Sequence, residues 1–147
     1  YEIRLSLVGS EMCIRDRWSA QAANDYMATI LPEYSEANGN MVELIICNND
    51  GMAEGAVSAL QGAGYNTGDG KTIPVFGVDA TDSAKQLINE GKMTGTIKQD
   101  AEGMASTILN LVSSVQGGGE LMDNTSSFNV DEGVAKIRVP YATYTGE

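Results

Sequence analysis

The spacing of apolar positions along the chain changes period several times, and each change marks an element. Residues 19–36 are rich in Ala and carry Met27, Ile30 and Leu31 at helical spacing before an Ala37-Asn38-Gly39-Asn40 stop. They predict a helix, with Pro32 a place for a kink. Residues 41–47 (MVELIIC) are nearly all apolar and predict a short strand of the kind buried on both faces of a parallel sheet, ended by Asn48-Asn49-Asp50. A second helix follows at once, capped by Asn49 or Asp50, with Met52, Ala53, Ala56, Val57 and Leu60 on one face. Beyond a Gly- and Asn-rich loop at 62–70, residues 72–78 (TIPVFGV) predict a second buried strand ending at Asp79. Residues 82–90 predict a third helix closed by Gly91, and residues 93–98 a third strand ending at Gln99-Asp100. A last helix over 101–115 shows Met104, Ile108, Leu111, Val112 and Val115 on one face, stops at Gly117–Gly119, and leaves 128–130 and 136–141 as short strands.

Three strand-to-helix units in succession imply an α/β fold with a parallel sheet and right-handed crossovers. Ligands of such sheets bind at the carboxyl ends of the strands. The residues standing at those ends are Asn49, Asp79 and Gln99.

Composition narrows the chemistry. The 147 residues carry a formal net charge of -11 and no His. The acidic balance excludes a phosphate-neutralising surface, so no nucleic-acid partner is expected. Without His the chain lacks the commonest general base and the middle member of any serine or cysteine triad, which weakens enzyme readings. No run of about 20 apolar residues spans a bilayer, and no signal-peptide pattern opens the chain. Cys13 and Cys47 make no disulfide framework, and Cys47, inside an apolar run, reads as a small buried hydrophobe.

The first segment stands apart. Residues 1–17 share no pattern with the rest of the chain, and the string LSLVGSEMCIRDR resembles translated sequencing-adapter read-through, so the segment is set aside as a non-native start. The competing reading is a genuine amino-terminal strand and turn. Its charges balance, Arg4, Arg15 and Arg17 against Glu2, Glu11 and Asp16, so the acidic character belongs to residues 18–147.

A neutral sugar presents hydroxyls that both donate and accept, and a C–H face. Asp79 accepts from two neighbouring hydroxyls, Asn49 and Gln99 each donate and accept, and Trp18, the one Trp of the chain, offers an indole face ahead of the first helix. Hydrogen bonds to a charged group are worth about 1.5–3 kcal/mol against about 1 for neutral ones, which makes Asp79 the dominant polar ligand. Each residue also has a plain structural role open to it: Asn49 and Asp79 as helix caps, Trp18 as core. Gly62-Ala63-Gly64 follows a helix rather than a strand and reads as turn chemistry, and the sequon Asn124-Thr125-Ser126 is too short a pattern to carry a function.

The runs RWSAQAANDYM (17–27), VELIICNNDGMAEGAVSAL (42–60), IPVFGVDAT (73–81), GKMTGTIKQDA (91–101) and KIRVPYATY (136–144) resemble the periplasmic galactose/glucose-binding proteins of ABC sugar importers. The resemblance implies a two-lobed periplasmic-binding-protein-like fold of which this chain is a truncated carboxyl-terminal part. Residues 18–100 would belong to the carboxyl-terminal lobe, 101–134 would return to an amino-terminal lobe, and 135–147 would cross back. By the same likeness Trp18 matches the sugar-stacking Trp, Asn49 and Asp79 match polar sugar ligands, and Gln99 stands where Asn is common, which leaves the preferred hexose open. Glu43 matches a carboxylate completing a calcium site whose other ligands lie upstream, so calcium would bind only in the intact protein. The implied partners are a hexose, the membrane subunits of an ABC permease and a chemoreceptor; the implied location is periplasmic, with lipid anchoring open, and the intact protein would be a monomer.

Truncation adds two expectations. The chain alone binds hexose very weakly, since each 1.4 kcal/mol lost weakens binding about tenfold. The face of Met104, Ile108, Leu111 and Val112 is under-buried and invites association. The alternative is the sugar-sensing domain of a repressor-type regulator, which shares the fold. A glycosidase using Asp79 and Asp100 as an acid/base pair is poorer, for want of a second carboxylate clearly facing the same cleft.

Overall fold

The computed structural model describes residues 18–131, 133–134 and 136–146. Residues 1–17, with the expected non-native start and Cys13, lie outside the described residues. The chain forms two compact units, one of residues up to Lys98 together with those from Thr143, the other Gln99–Ala142.

The first unit opens with α1 (Ala20–Glu33), whose N-cap Ser19 accepts the Ala22 N–H at 3.4 Å. Pro32 falls in its last turn, so the proline ends the helix rather than kinking it. The helix therefore stops short of Glu36, and Glu36–Asn38 form a 3₁₀ turn closed by Gly39 at φ +69°. Strand β1 (Ile45–Ile46) leads into α2 (Asp50–Gly62), β2 (Val75–Val78), α3 (Asp82–Asn89) and β3 (Gly95–Lys98). With β6 (Ala142–Tyr144) they make a four-stranded sheet in the order β1-β2-β3-β6. Strands β1, β2 and β3 are parallel, with Ile46 paired to Phe76 and Val78 to Ile97. The α/β class and the parallel sheet match the reading of the sequence.

The strands are shorter than the apolar runs that predicted them, and one expectation about burial is corrected. Ile45 and Cys47 are buried in a core shared with Ala23, Met27, Leu31, Met52, Leu60 and Val75. Leu44 and Ile46, on the opposite pleat, are 43% and 57% exposed. Among the described residues strand β1 is therefore covered on one face only, because the helices α1 and α2 pack on a single side of it.

Two close approaches fix this packing. A Cβ at Gly55 would lie 2.0 Å from the Ala20 carbonyl oxygen, so only glycine lets α1 seat against α2, and the Asn24 amide donates to the Gly55 carbonyl at 3.2 Å. The loop after α2 is held by buried Asn66, which donates to the Ile73 and Lys92 carbonyls at 2.8 and 3.0 Å and accepts the Ile73 N–H at 2.8 Å. One amide thus ties that loop to the chain entering β2 and to the turn before β3.

The second unit contains α4 (Ala101–Gln116), capped by Asp100, whose Oδ1 accepts the Gly103 N–H at 2.9 Å. Strands β4 (Asn129–Val130) and β5 (Ile137–Arg138) pair antiparallel, and Arg138 Nε donates to Asp131 Oδ1 at 2.7 Å. Thr107 is the buried residue of α4, whereas Met104, Ile108 and Val112 are exposed and Leu111 is half-buried. The under-burial expected of this face is present. Among the described residues no helix is long and apolar enough to cross a membrane.

Candidate functional site at the carboxyl end of the sheet

Asn49 and Asp79 lie in the segments that follow the neighbouring parallel strands β1 and β2. Ile46, the last residue of β1, pairs with Phe76 of β2; Asp79 directly follows β2, and Asn49 lies three residues beyond the end of β1. The residues that follow Asn49 and Asp79 are joined directly, since the Thr81 N–H donates to Asp50 Oδ2 at 2.8 Å. Asn49 is also the N-cap of α2: its Oδ1 accepts the Met52 N–H at 2.8 Å. The cap and a ligand role are compatible, because the cap uses the amide oxygen and the Nδ2 group carries the donors.

The capping role open to Asp79 falls to another residue. The N-cap of α3 is Thr81, whose hydroxyl accepts the Ala84 N–H at 3.2 Å. Asp79 is exposed and has φ +116°, and Ala80 after it has φ +54°. Two consecutive residues with side chains in this region cost about 1–3 kcal/mol each, so the surrounding structure must impose the turn.

What imposes it is a buried network that the sequence did not disclose. The Asp79 N–H donates to the Ile97 carbonyl at 2.8 Å, the Ala80 N–H to the Thr96 hydroxyl at 3.3 Å, and the Thr81 N–H to Asp50 Oδ2 at 2.8 Å. Thr96 in turn donates its own hydroxyl proton to Asp50 Oδ1 at 2.6 Å. Asp50 is fully buried. A Cβ at Gly77 would come within 2.3 Å of Asp50 Oδ1, so the missing side chain makes room for the carboxylate. In the sequence an Asp beside a cap reads as a favourable partner of the helix dipole, and nothing local announces burial.

Trp18 precedes the N-cap of α1 with φ +64° and is 53% exposed, which rules out the core role open to it. It sits two residues ahead of Ala20, the residue clamped against Gly55 of α2, the helix that Asn49 begins. Asn49, Asp79 and Trp18 thus all belong to one unit. Gln99, half-buried, directly follows β3 and opens the second unit.

Glu43 lies at the other end of β1, exposed, in an open groove of about 460 Å³ lined also by Glu36, Tyr65 and Lys71. Lys71 Nζ contacts Glu36 Oε1 at 2.6 Å, and this hydrogen bond, with the charge of Glu36, holds the Lys71 ammonium above its ordinary pKa. Calcium takes six to eight oxygens, and among the described residues no group of three or more His, Cys, Asp or Glu is placed to hold a metal ion. The residues around Glu43 do not fit calcium held by these groups alone.

A family model described as periplasmic binding protein domain matches residues 4–120. The chain belongs to this family. Curated relatives of this periplasmic-binding-protein chain include the D-galactose/methyl-galactoside binding periplasmic protein of Haemophilus influenzae, 34% identical over 124 residues that make up 84% of this chain and 34% of the relative. The multiple sugar-binding periplasmic receptor of Rhizobium radiobacter is 29% identical over 82% of this chain and 33% of its own length. Among solved structures, an ABC transporter solute-binding protein from Bacillus halodurans with bound myo-inositol superposes with a TM-score of 0.62 at 27% identity, over 87% of this chain and 37% of that one. A periplasmic solute-binding protein from Actinobacillus succinogenes with bound D-allose gives 0.57 at 30% identity, over 70% and 33%. The chain spans about a third of the length of the curated relatives it matches.

Proposed function

We propose that this chain forms part of the substrate-binding component of an ABC sugar importer and supplies one wall of a cleft for a neutral hexose of the galactose/glucose type. Asp79 accepts hydrogen bonds from ring hydroxyls, Asn49 donates from Nδ2, Gln99 contributes a longer amide, and Trp18 stacks on the C–H face of the ring. Binding is followed by closure of a second lobe, with no covalent step, and the loaded protein is handed in the periplasm to a membrane permease and to a chemoreceptor. Calcium, in this reading, is held only when upstream residues join Glu43.

The observation that carries the reading is that Asn49 and Asp79 lie in the segments that follow the adjacent parallel strands β1 and β2, and that the residues after them are tied by the Thr81 N–H to Asp50 Oδ2 bond at 2.8 Å. The names of the relatives support it, since those proteins bind galactosides, allose and inositol, all polyhydroxylated molecules. They are named for binding rather than catalysis, and Asp100, the second carboxylate a glycosidase would need, caps α4.

Trp18 makes the test direct, because it is the sole indole of the chain. Titration with D-galactose or D-glucose should change its fluorescence with a dissociation constant in the millimolar range, about 4 kcal/mol of binding free energy. The substitution Asp79→Asn should weaken the response about tenfold. A fluorescence response unaffected by Asp79→Asn, or micromolar affinity for the chain alone, contradicts the proposal.

A further inference from the structure

We infer that Asp50 and Thr96 are positioning residues of the hexose site: together they hold the Asp79-Ala80 turn in the conformation that presents the Asp79 carboxylate. The inference rests on the proposed sugar site and extends it to residues that touch no ligand. Three successive backbone N–H groups, of Asp79, Ala80 and Thr81, each meet an acceptor, and two of those acceptors belong to the Asp50–Thr96 pair. The Thr96 hydroxyl is used in both senses, donating to Asp50 and accepting from Ala80, so the pair works as one latch rather than as two separate bonds.

The latch links elements far apart in sequence. Asp50 begins α2, Thr96 lies in β3, and the turn they hold follows β2, so the carboxylate ties the first turn of a helix to two strands. Asn49, the other polar ligand, immediately precedes Asp50. Seating the Asp50 carboxylate therefore sets the spacing of Asn49 from Asp79 as well as the shape of the turn. A helix that only needed an acidic first turn would leave that acid in water, whereas this one is fully buried and Gly77 leaves the space it fills.

Thr96→Val keeps the shape of the side chain and removes its hydroxyl; Thr96→Ser keeps the hydroxyl. Titration of the whole chain with D-galactose, read by Trp18 fluorescence and by backbone amide shifts, should show Thr96→Val weaker than the parent by about tenfold, the equivalent of about 1.4 kcal/mol, and Thr96→Ser restored to within about threefold. Amide hydrogen exchange supplies a readout independent of sugar: Ala80 and Thr81 should lose protection in Thr96→Val while the amides of β2 keep theirs. If Thr96→Val does not fold, Asp50→Asn, which keeps the size of the carboxylate, takes its place in both measurements. Sugar binding lost in Asp79→Asn but unchanged in Thr96→Val or Asp50→Asn overturns the latch and leaves the site standing. No response of the parent chain to sugar at any concentration overturns the site, and the positioning role with it.

Discussion

Helices α2 and α4 are both amphipathic, and the chain treats them in opposite ways. In α2, Met52, Ala53, Ala56, Val57 and Leu60 are buried, and so are Asp50 and Gly55. In α4, which is longer, Thr107 is the buried residue, and Ile108, Leu109, Val112 and Val115 are exposed. An apolar stripe in a sequence predicts a helix and the face it will bury, but burial itself depends on whether another surface arrives. Helix α2 has α1 and the sheet; α4 shows an apolar face of the kind that marks an association surface.

The largest test of that contrast is truncation in the core of the first unit. Met27→Ala or Leu60→Ala should lower stability by about 2–5 kcal/mol in urea unfolding, because each empties fully buried volume. Ile108→Ala and Val112→Ala should change it by less than about 0.5 kcal/mol. Equal losses in the two sets would mean that the face of α4 is covered in solution. Somewhat smaller is the effect of Asp50→Ala, which leaves the Thr81 N–H and the Thr96 hydroxyl without their acceptor at a cost of about 1–3 kcal/mol. Ile108→Glu combined with Val112→Glu should leave the unfolding midpoint nearly unmoved and abolish concentration-dependent association in sedimentation velocity.

The smallest effect is on pH dependence, and it treats the two units alike. The hydrogen bond from Lys92, with that from Gln86 and the charge of Lys92, holds the Glu90 carboxyl below its ordinary pKa, and the Arg138 hydrogen bond does the same for Asp131. A depressed carboxylate pKa stabilises the fold above the unfolded value and is lost as pH falls through the folded one, so both contributions should fade below about pH 4. Both pairs lie at the surface, so the acid limb of a thermal-melt series should shift only slightly in Lys92→Met.

The succession of strand–helix units, the parallel sheet and the position of Asp79 directly after β2 were legible in the sequence because each rests on local periodicity and on turn residues. The exposure of Leu44 and Ile46 was not, since an apolar run looks the same on a strand covered on both faces and on one covered on a single face. Asp50, Thr96 and Gly77 were invisible for a different reason. Their partnership spans 46 residues of sequence between Asp50 and Thr96, and each residue alone has an ordinary local explanation. Trp18 was left open between core and ligand, and only its exposure decides against the core. Calcium at Glu43 rests on resemblance alone, and among the described residues no group of three or more His, Cys, Asp or Glu is placed to hold a metal ion.

The most direct measurement is a map of backbone and side-chain amide shifts in a nitrogen–proton correlation spectrum as D-galactose is added. Shifts concentrated at Trp18, Asn49, the Asp79–Thr81 turn and Gln99 are the expected result. Shifts confined to the Glu43 and Lys71 groove at the far end of β1 would contradict the account, because they would put the sugar at the wrong end of the sheet.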